Sequence, residues 1–298
     1  MELRQPKQTH NVDPGRLGDL LRDDLRPRHE RSTLIPHLHA LIDMGRIQGD
    51  LRVEVEKRLE VFSSTPLLDD PRYEQLKQHG ALLVSGLKHD DVALLDEWGA
   101  CNGEIISAWI VSEMRIFALI EHLRQAVFAY DMNNVRYLLR FYDPLITPVL
   151  HRLADKKWVD WFFSPMRAWW YPVATPTEET WSRIAGGGKL MLGKTESLVL
   201  TEELWDALKS DPFPYRLLNF AEQKYPSFFE SDCYGVRLAK VESLLETGKK
   251  QGLNTQNDLT AYVLALLEDP MRAEEPRWLE AVQRAVAGYA PLKNYFAI

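Results

Sequence analysis

The sequence predicts a mixed α+β (α/β) chain: an N-terminal lobe with a central sheet flanked by helices, then a mainly α-helical C-terminal lobe. Three observations lead there. The apolar runs Leu38–Ile42, Ala81–Leu87 and Ile105–Val111 are short, continuous and bounded by turn or polar residues, as strands covered on both faces are. Val135–Tyr142 alternates in polarity and runs into Asp143-Pro144, a strand–turn–helix signal. After about Thr201, apolar residues recur at steps of three and four. The expected organisation is a polar leader at 1–32, an α/β lobe at 33–190 and a helical lobe at 191–298.

In order along the chain, Pro6, Pro14, Gly15 and Pro27 punctuate a leader of mixed charge. It reads as loosely ordered, with one helical turn around Leu17–Leu25. The strand Leu38–Ile42 stops at Asp43 and Gly45, and Ala81–Leu87 is entered through Gly80. Glu113–Tyr130 reads as a helix, because Ile116, Leu119, Ile120, Leu123, Val127 and Tyr130 fall on one stripe. In Val135–Tyr142, Val135, Tyr137, Leu139 and Phe141 share one face, and Arg136, Leu138, Arg140 and Tyr142 the other. Asp143 suits an N-cap and Pro144 a first helical position, opening a helix that carries Leu145, Val149, Leu150 and Leu153. Met166–Val173 and Trp181–Ala185 read as strands, and Gly186-Gly187-Gly188 breaks the chain. Leu238, Val241 and Leu245 mark a helix. Thr255 and Asp258 open the next, through Leu259, Tyr262, Val263, Leu266 and Leu267, and Pro270 closes it. Pro276 starts a last one with Leu279, Val282, Val286 and Tyr289.

Composition narrows the function. The 298 residues carry 36 basic and 43 acidic side chains, a net charge of −7, which argues against a general nucleic-acid binder. Cys101 and Cys233 are far apart, which excludes a disulfide framework and suits a reducing cytoplasm. The start of the chain lacks the apolar core of a signal peptide, and no run approaches the ~18 apolar residues of a membrane span. His37 and His39 share a strand face near Asp43 without further ligands at zinc spacing, so no metal and no cofactor are expected.

The chain does contain Gly188-Lys-Leu-Met-Leu-Gly193-Lys194-Thr195, which fits the phosphate-cradling pattern G-x-x-x-x-G-K-[ST]. There the glycines free backbone N–H groups for phosphate, Lys neutralises it and Thr holds Mg²⁺. A buried strand should precede this loop and a helix should follow at once, yet Glu196–Leu200 looks extended. The motif makes a nucleotide-binding protein using residues 188–195 the alternative function, and a glycine-rich hairpin or connector between lobes is the competing structural reading.

Aromatic residues are the more prominent feature. Trp158, Trp161, Trp169, Trp170 and Trp181, five of the nine Trp, fall in one stretch with Phe162, Phe163 and Tyr171. On a strand Trp169 and Trp170 face opposite ways, so a core and an interface are both open readings, one face each. The candidate partner-contacting residues are Trp169, Trp170 and Tyr171 together with Arg167 and Tyr142. Arg124, Arg140 and Asp143 are expected to cluster, as an ion pair fixing the strand–helix corner or as a partner contact.

Arg140-Phe-Tyr-Asp-Pro144 after a strand, preceded by His122-Leu-Arg124 on an apolar helix, resembles the type VI secretion adaptor family. These adaptors are also called effector chaperones, and their domain was long catalogued as of unknown function. Ala40-Leu-Ile-Asp43 looks like the family's opening strand, Ala81–Leu87 like its next, and Trp98-Gly99 and the run to Val111 like the segment before the helix. Trp161-Phe162-Phe163-Ser164-Pro165 looks like the aromatic stretch after the Asp-Pro motif. The likeness spans about residues 37–175 and continues faintly through Gly252-Leu253, Asp258-Leu259 and Tyr262. The leader and the triple glycine do not match. The resemblance implies a cytoplasmic non-enzyme that binds a toxin effector and delivers it to the spike protein of the secretion machine, with no nucleic-acid or membrane partner. A carrier of this kind needs a broad surface with a few aromatic anchors, which a groove between two lobes would supply.

Overall fold

The structure, a computed structural model, describes residues 14–27, 34–47, 49–87, 105–189, 195–209, 211–231 and 233–295. It is a mixed α+β chain with a largely antiparallel six-stranded sheet and a helical C-terminal region. The chain divides into two compact units, residues 1–173 with 179–210, and residues 211–298 with 174–178. The division falls after residue 210, not at 190. The cause is a short strand beyond the glycines, which pairs inside the first unit.

The strands of the first unit are β1 (His37–Asp43), β2 (Ser63–Pro66), β3 (Ala81–Leu87), β4 (Ile106–Ser112), β5 (Phe128–Asp131), β6 (Arg136–Leu138), β7 (Met166–Ala174), β8 (Glu179–Ala185) and β9 (Leu198–Leu200). The large sheet has the order β2-β3-β1-β4-β7-β8. β1 pairs antiparallel with β3 and β4, placing Leu41 opposite Leu83 and Ala108. Continuous apolar strands follow because both faces are covered. Leu41, Leu83, Ile110 and Trp169 enter one core, and Leu38, Ile42, Trp109 and Trp170 enter the other.

The leader differs from its expected looseness. Pro14–Leu25 is a 12-residue helix, and its Leu17 and Leu21 are buried in the second of these cores. Asp24 near its end accepts the Trp170 indole N–H at 2.9 Å and pairs with Arg183 at 2.7 Å. The polar surroundings of Leu17 and Leu21 hid an amphipathic helix.

A small sheet has the order β6-β5-β9, with β5 antiparallel to β6 and parallel to β9. It corrects two expectations. The helix read at Glu113–Tyr130 is Ile116–Gln125, and its supposed last turn is β5. Backbone pairing to strands on both sides outcompetes the helical stripe, a long-range effect that local periodicity does not register. The strand read at Val135–Tyr142 pairs only over Arg136–Leu138. The helix expected directly at Asp143-Pro144 starts one turn later, at Thr147. Asp143 instead makes a turn, its carboxylate accepting the Leu145 N–H at 3.0 Å.

The second unit packs the helices Pro212–Lys224, Tyr234–Lys250, Gln256–Glu268 and Pro276–Val286 around Leu218, Val241, Tyr262, Val263 and Trp278. The Thr255 hydroxyl caps its helix by accepting the Asp258 N–H at 3.1 Å. In the last helix the buried face is Trp278, Ala281 and Val282, while Leu279, Val286 and Tyr289 of the expected stripe are exposed. Among the described residues, no helix is long and apolar enough to cross a membrane.

Candidate interaction site

The Arg140–Thr147 corner is built from its own sequence. Phe141 is fully buried and meets Phe162 at 5.1 Å and Trp169 at 6.2 Å between ring centres. The Thr147 hydroxyl donates to the Phe141 carbonyl at 2.7 Å, closing the turn beneath it. Arg140 is then held at the surface, 43% exposed, and reaches the carboxylate of Asp43, which is fully buried at the end of β1. Asp143 stands 3.7 Å from the same guanidinium. Asp43 also accepts the Gly45 N–H at 3.1 Å. Burial pushes the Asp43 carboxyl above its ordinary range, while Arg140, Arg46 and the Gly45 N–H pull it back. Burial, helped by the Asp43 charge, pushes the neighbouring Tyr142 hydroxyl up to about 12, so it stays neutral.

Beside this corner lies a cavity of about 160 Å³ lined by Leu67, Leu68, Leu76, Leu138, Arg140 and Tyr142 among others. Leu76 and Leu138 are 45% and 42% exposed, so apolar surface continues from the cavity outward. The hollow is mostly apolar, with His79, Arg140 and Tyr142 also in its lining, and can take an apolar side chain of a partner.

Of the candidate residues, Arg140, Tyr142 and Asp143 come together here, with Pro144 in the turn. Arg124 does not join them. It pairs with Asp69 at 2.9 Å and Glu121 at 3.1 Å and donates to the Pro66 carbonyl, fastening its helix to the end of β2. His122, from the same stretch, is buried and lies 2.8 Å from the Phe162 carbonyl through Nε2, with Trp161 at 4.5 Å between ring centres. His122, Arg124 and Arg140 each tie one element to another.

Trp169 and Trp170 are 0% and 1% exposed, so neither indole is on offer to a partner. Helices cover the sheet on both sides, so opposite orientations put them in two separate cores. Tyr171 is half-buried against the first core. The Arg167 guanidinium lies 3.9 Å from Glu113 and bonds the Arg26 carbonyl.

The flanks of the phosphate-loop pattern differ from those such a loop needs. Gly193 and Lys194 lie outside the described residues. The Gly188 N–H donates to the Met166 carbonyl at 3.1 Å, and the Thr195 hydroxyl donates to Gln125 at 2.9 Å. Thr195 leads to β9, and the next helix begins only at Glu202. Gly186 has its own reason: a Cβ there would stand 2.1 Å from the Met166 and Phe163 carbonyls. Among the described residues, no group of three or more His, Cys, Asp or Glu is placed to hold a metal ion.

Sequence reasoning missed Asp43, whose partner lies 97 residues away. It also missed the cluster of Tyr73, Phe128 and Arg136. The Arg136 guanidinium sits 4.4 Å from the centre of the Phe128 ring and donates to the Tyr73 hydroxyl at 3.2 Å. The signal for Asp43 was a lone carboxylate closing an apolar strand.

No curated protein and no solved structure gives a significant match to the chain. A family model described as Domain of unknown function (DUF4123) matches residues 38–159, from β1 through the first half of the Lys156–Phe163 helix. That stretch contains Asp43, Arg124, Arg140, Tyr142, Asp143 and the whole cavity lining. The central part of the chain is therefore similar to a domain known in association with type VI secretion effectors.

Proposed function

We propose that the protein is a non-enzymatic adaptor of type VI secretion: in the cytoplasm it binds a toxin effector and loads it onto the spike protein. The observation that carries this reading is the DUF4123 match over residues 38–159. The surface inside that stretch supports it. The Arg140–Tyr142 cavity and the exposed Leu76 and Leu138 beside it offer apolar area with a charged edge, the make-up of a protein contact. The cavity is small, so a partner has to contribute area around it. Stable protein contacts bury about 1,600 Å² in total.

The test uses purified full-length components. The protein, a candidate toxin effector and a type VI spike protein from the same cell are mixed pairwise and together, then separated by size-exclusion chromatography with light scattering. The expected outcome is a stable complex with the effector and a ternary complex once the spike protein is added. Failure to associate with either component, or turnover of a substrate by the purified chain, defeats the reading.

A further inference from the structure

We propose that β6 is the docking edge for the effector, which adds an extended segment to it as a further strand and faces Arg136 with a carboxylate. The inference rests on the adaptor reading and deepens it by naming the kind of segment held. β6 pairs with β5 on one side only, and no strand of the described residues pairs with its other side. The direction of its free groups follows from the register. The Leu139 N–H donates to the Val127 carbonyl at 2.7 Å, and the Asp131 N–H donates to the Val135 carbonyl at 3.0 Å. Antiparallel pairing alternates, so the N–H and C=O of Arg136 and Leu138 point away from β5. β6 is only three residues long and carries Arg136, features that discourage promiscuous pairing, so the row is a template for a guest strand that satisfies that cation.

The side chains along this edge state the chemistry of the guest. Arg136 and Leu138 lie two residues apart and so share a face. Arg136 is half-buried, stacked on Phe128 and bonded to the Tyr73 hydroxyl, and no carboxylate of the described residues forms an ion pair with it. Asp70, whose charge also feels Arg136, is taken up by Arg72 through both its oxygens. Guanidinium N–H groups therefore remain for an incoming acid. Leu138 is exposed and also lines the 160 Å³ cavity, so the edge runs into the hollow. A strand with an acidic residue opposite Arg136 and an apolar residue two positions along would satisfy the edge amides, the cation and the cavity together.

The test compares the parent with Leu138→Pro and Arg136→Glu in the effector-binding assay, alongside peptide-level hydrogen exchange of the free and bound protein. Proline at 138 removes an outward N–H while leaving the bonds to β5, and circular dichroism checks that both variants are folded. In the parent, exchange at 136–138 slows on effector binding. Leu138→Pro weakens capture about tenfold or more, the equivalent of a strand hydrogen bond and its packing lost together. Arg136→Glu weakens it and reverses its salt dependence. Folded variants that capture effector like the parent, or unchanged exchange at 136–138 in the complex, overturn the proposal while the adaptor reading stands. Protection at 136–138 that rises with concentration in the free chain assigns the edge to a second copy and overturns it too. A parent that binds no effector sinks the adaptor reading itself.

Discussion

Asp43 and His39 show what a buried polar side chain costs a strand and how the fold answers. Asp43 has no exposed surface, yet it receives a guanidinium and a backbone N–H, so its charge is matched. His39, four residues earlier on the same face, is 2% exposed, and neither ring nitrogen has a hydrogen-bond partner among the described residues. Desolvation, with a smaller push from His37, lowers its pKa to about 4. The sign follows from proton counts. The unfolded chain takes up a proton near pH 6.5, while the native His39 stays neutral until about pH 4, so stability falls as pH drops through that window. Between about pH 8 and about pH 5 this amounts to about 2 kcal/mol. His122 and His151 are lowered by burial as well and act in the same direction. Urea unfolding at both pH values should show the loss in the parent and a smaller one in His39→Leu. Equal pH dependence in the two would remove His39 as a source. The sequence placed His39 on a strand beside Asp43 but gave no depth for either, because depth depends on helices far along the chain.

Strands that are apolar on both faces were legible because the alphabet leaves little else for them: Ala81–Leu87 stands where its residues put it, and the strand expected at Met166–Val173 runs one residue further, to Ala174. Elements decided by pairing were not. Phe128–Asp131 carries a helical stripe and becomes a strand because β6 and β9 flank it. The same covering of both faces settles the aromatic stretch. Trp169 packs with Phe141, Phe162 and Phe163, at 5.7 to 6.2 Å between ring centres. Its role is therefore structural, and Trp169→Ala should cost about 3–5 kcal/mol, the usual range for emptying a buried tryptophan site. Tyr171→Ala, at a half-buried position, should cost less. Thermal melting of the two variants checks the order. A Trp169→Ala protein that melts with the parent and yet loses effector would return that indole to the interface.

At the scale of the molecule, periodicity set the helical texture of the C-terminal region, but the division between units was hidden in three residues. Leu198-Val199-Leu200 joins β5, which carries the helix Glu202–Leu208 with it into the first unit. What remains after residue 210 closes its own core. The third hydrophobic cluster draws only on residues from Phe213 onward, including Leu218, Val241, Tyr262, Val263, Ala265 and Trp278. Its helices carry their own boundary signals: Asp211 accepts the Phe213 N–H at 2.9 Å, and Thr255 accepts the Asp258 N–H at 3.1 Å. A segment of about 88 residues with one such core is within the size that folds alone. Residues 211–298 expressed by themselves should therefore give a helical far-ultraviolet spectrum and one cooperative thermal transition. The short stretch 174–178 also belongs to this unit, so the isolated segment should melt somewhat below its value in the full chain. A helical spectrum that fades without a transition would mean that the core needs the rest of the chain to set its packing, and the division into units would then describe contacts without describing folding.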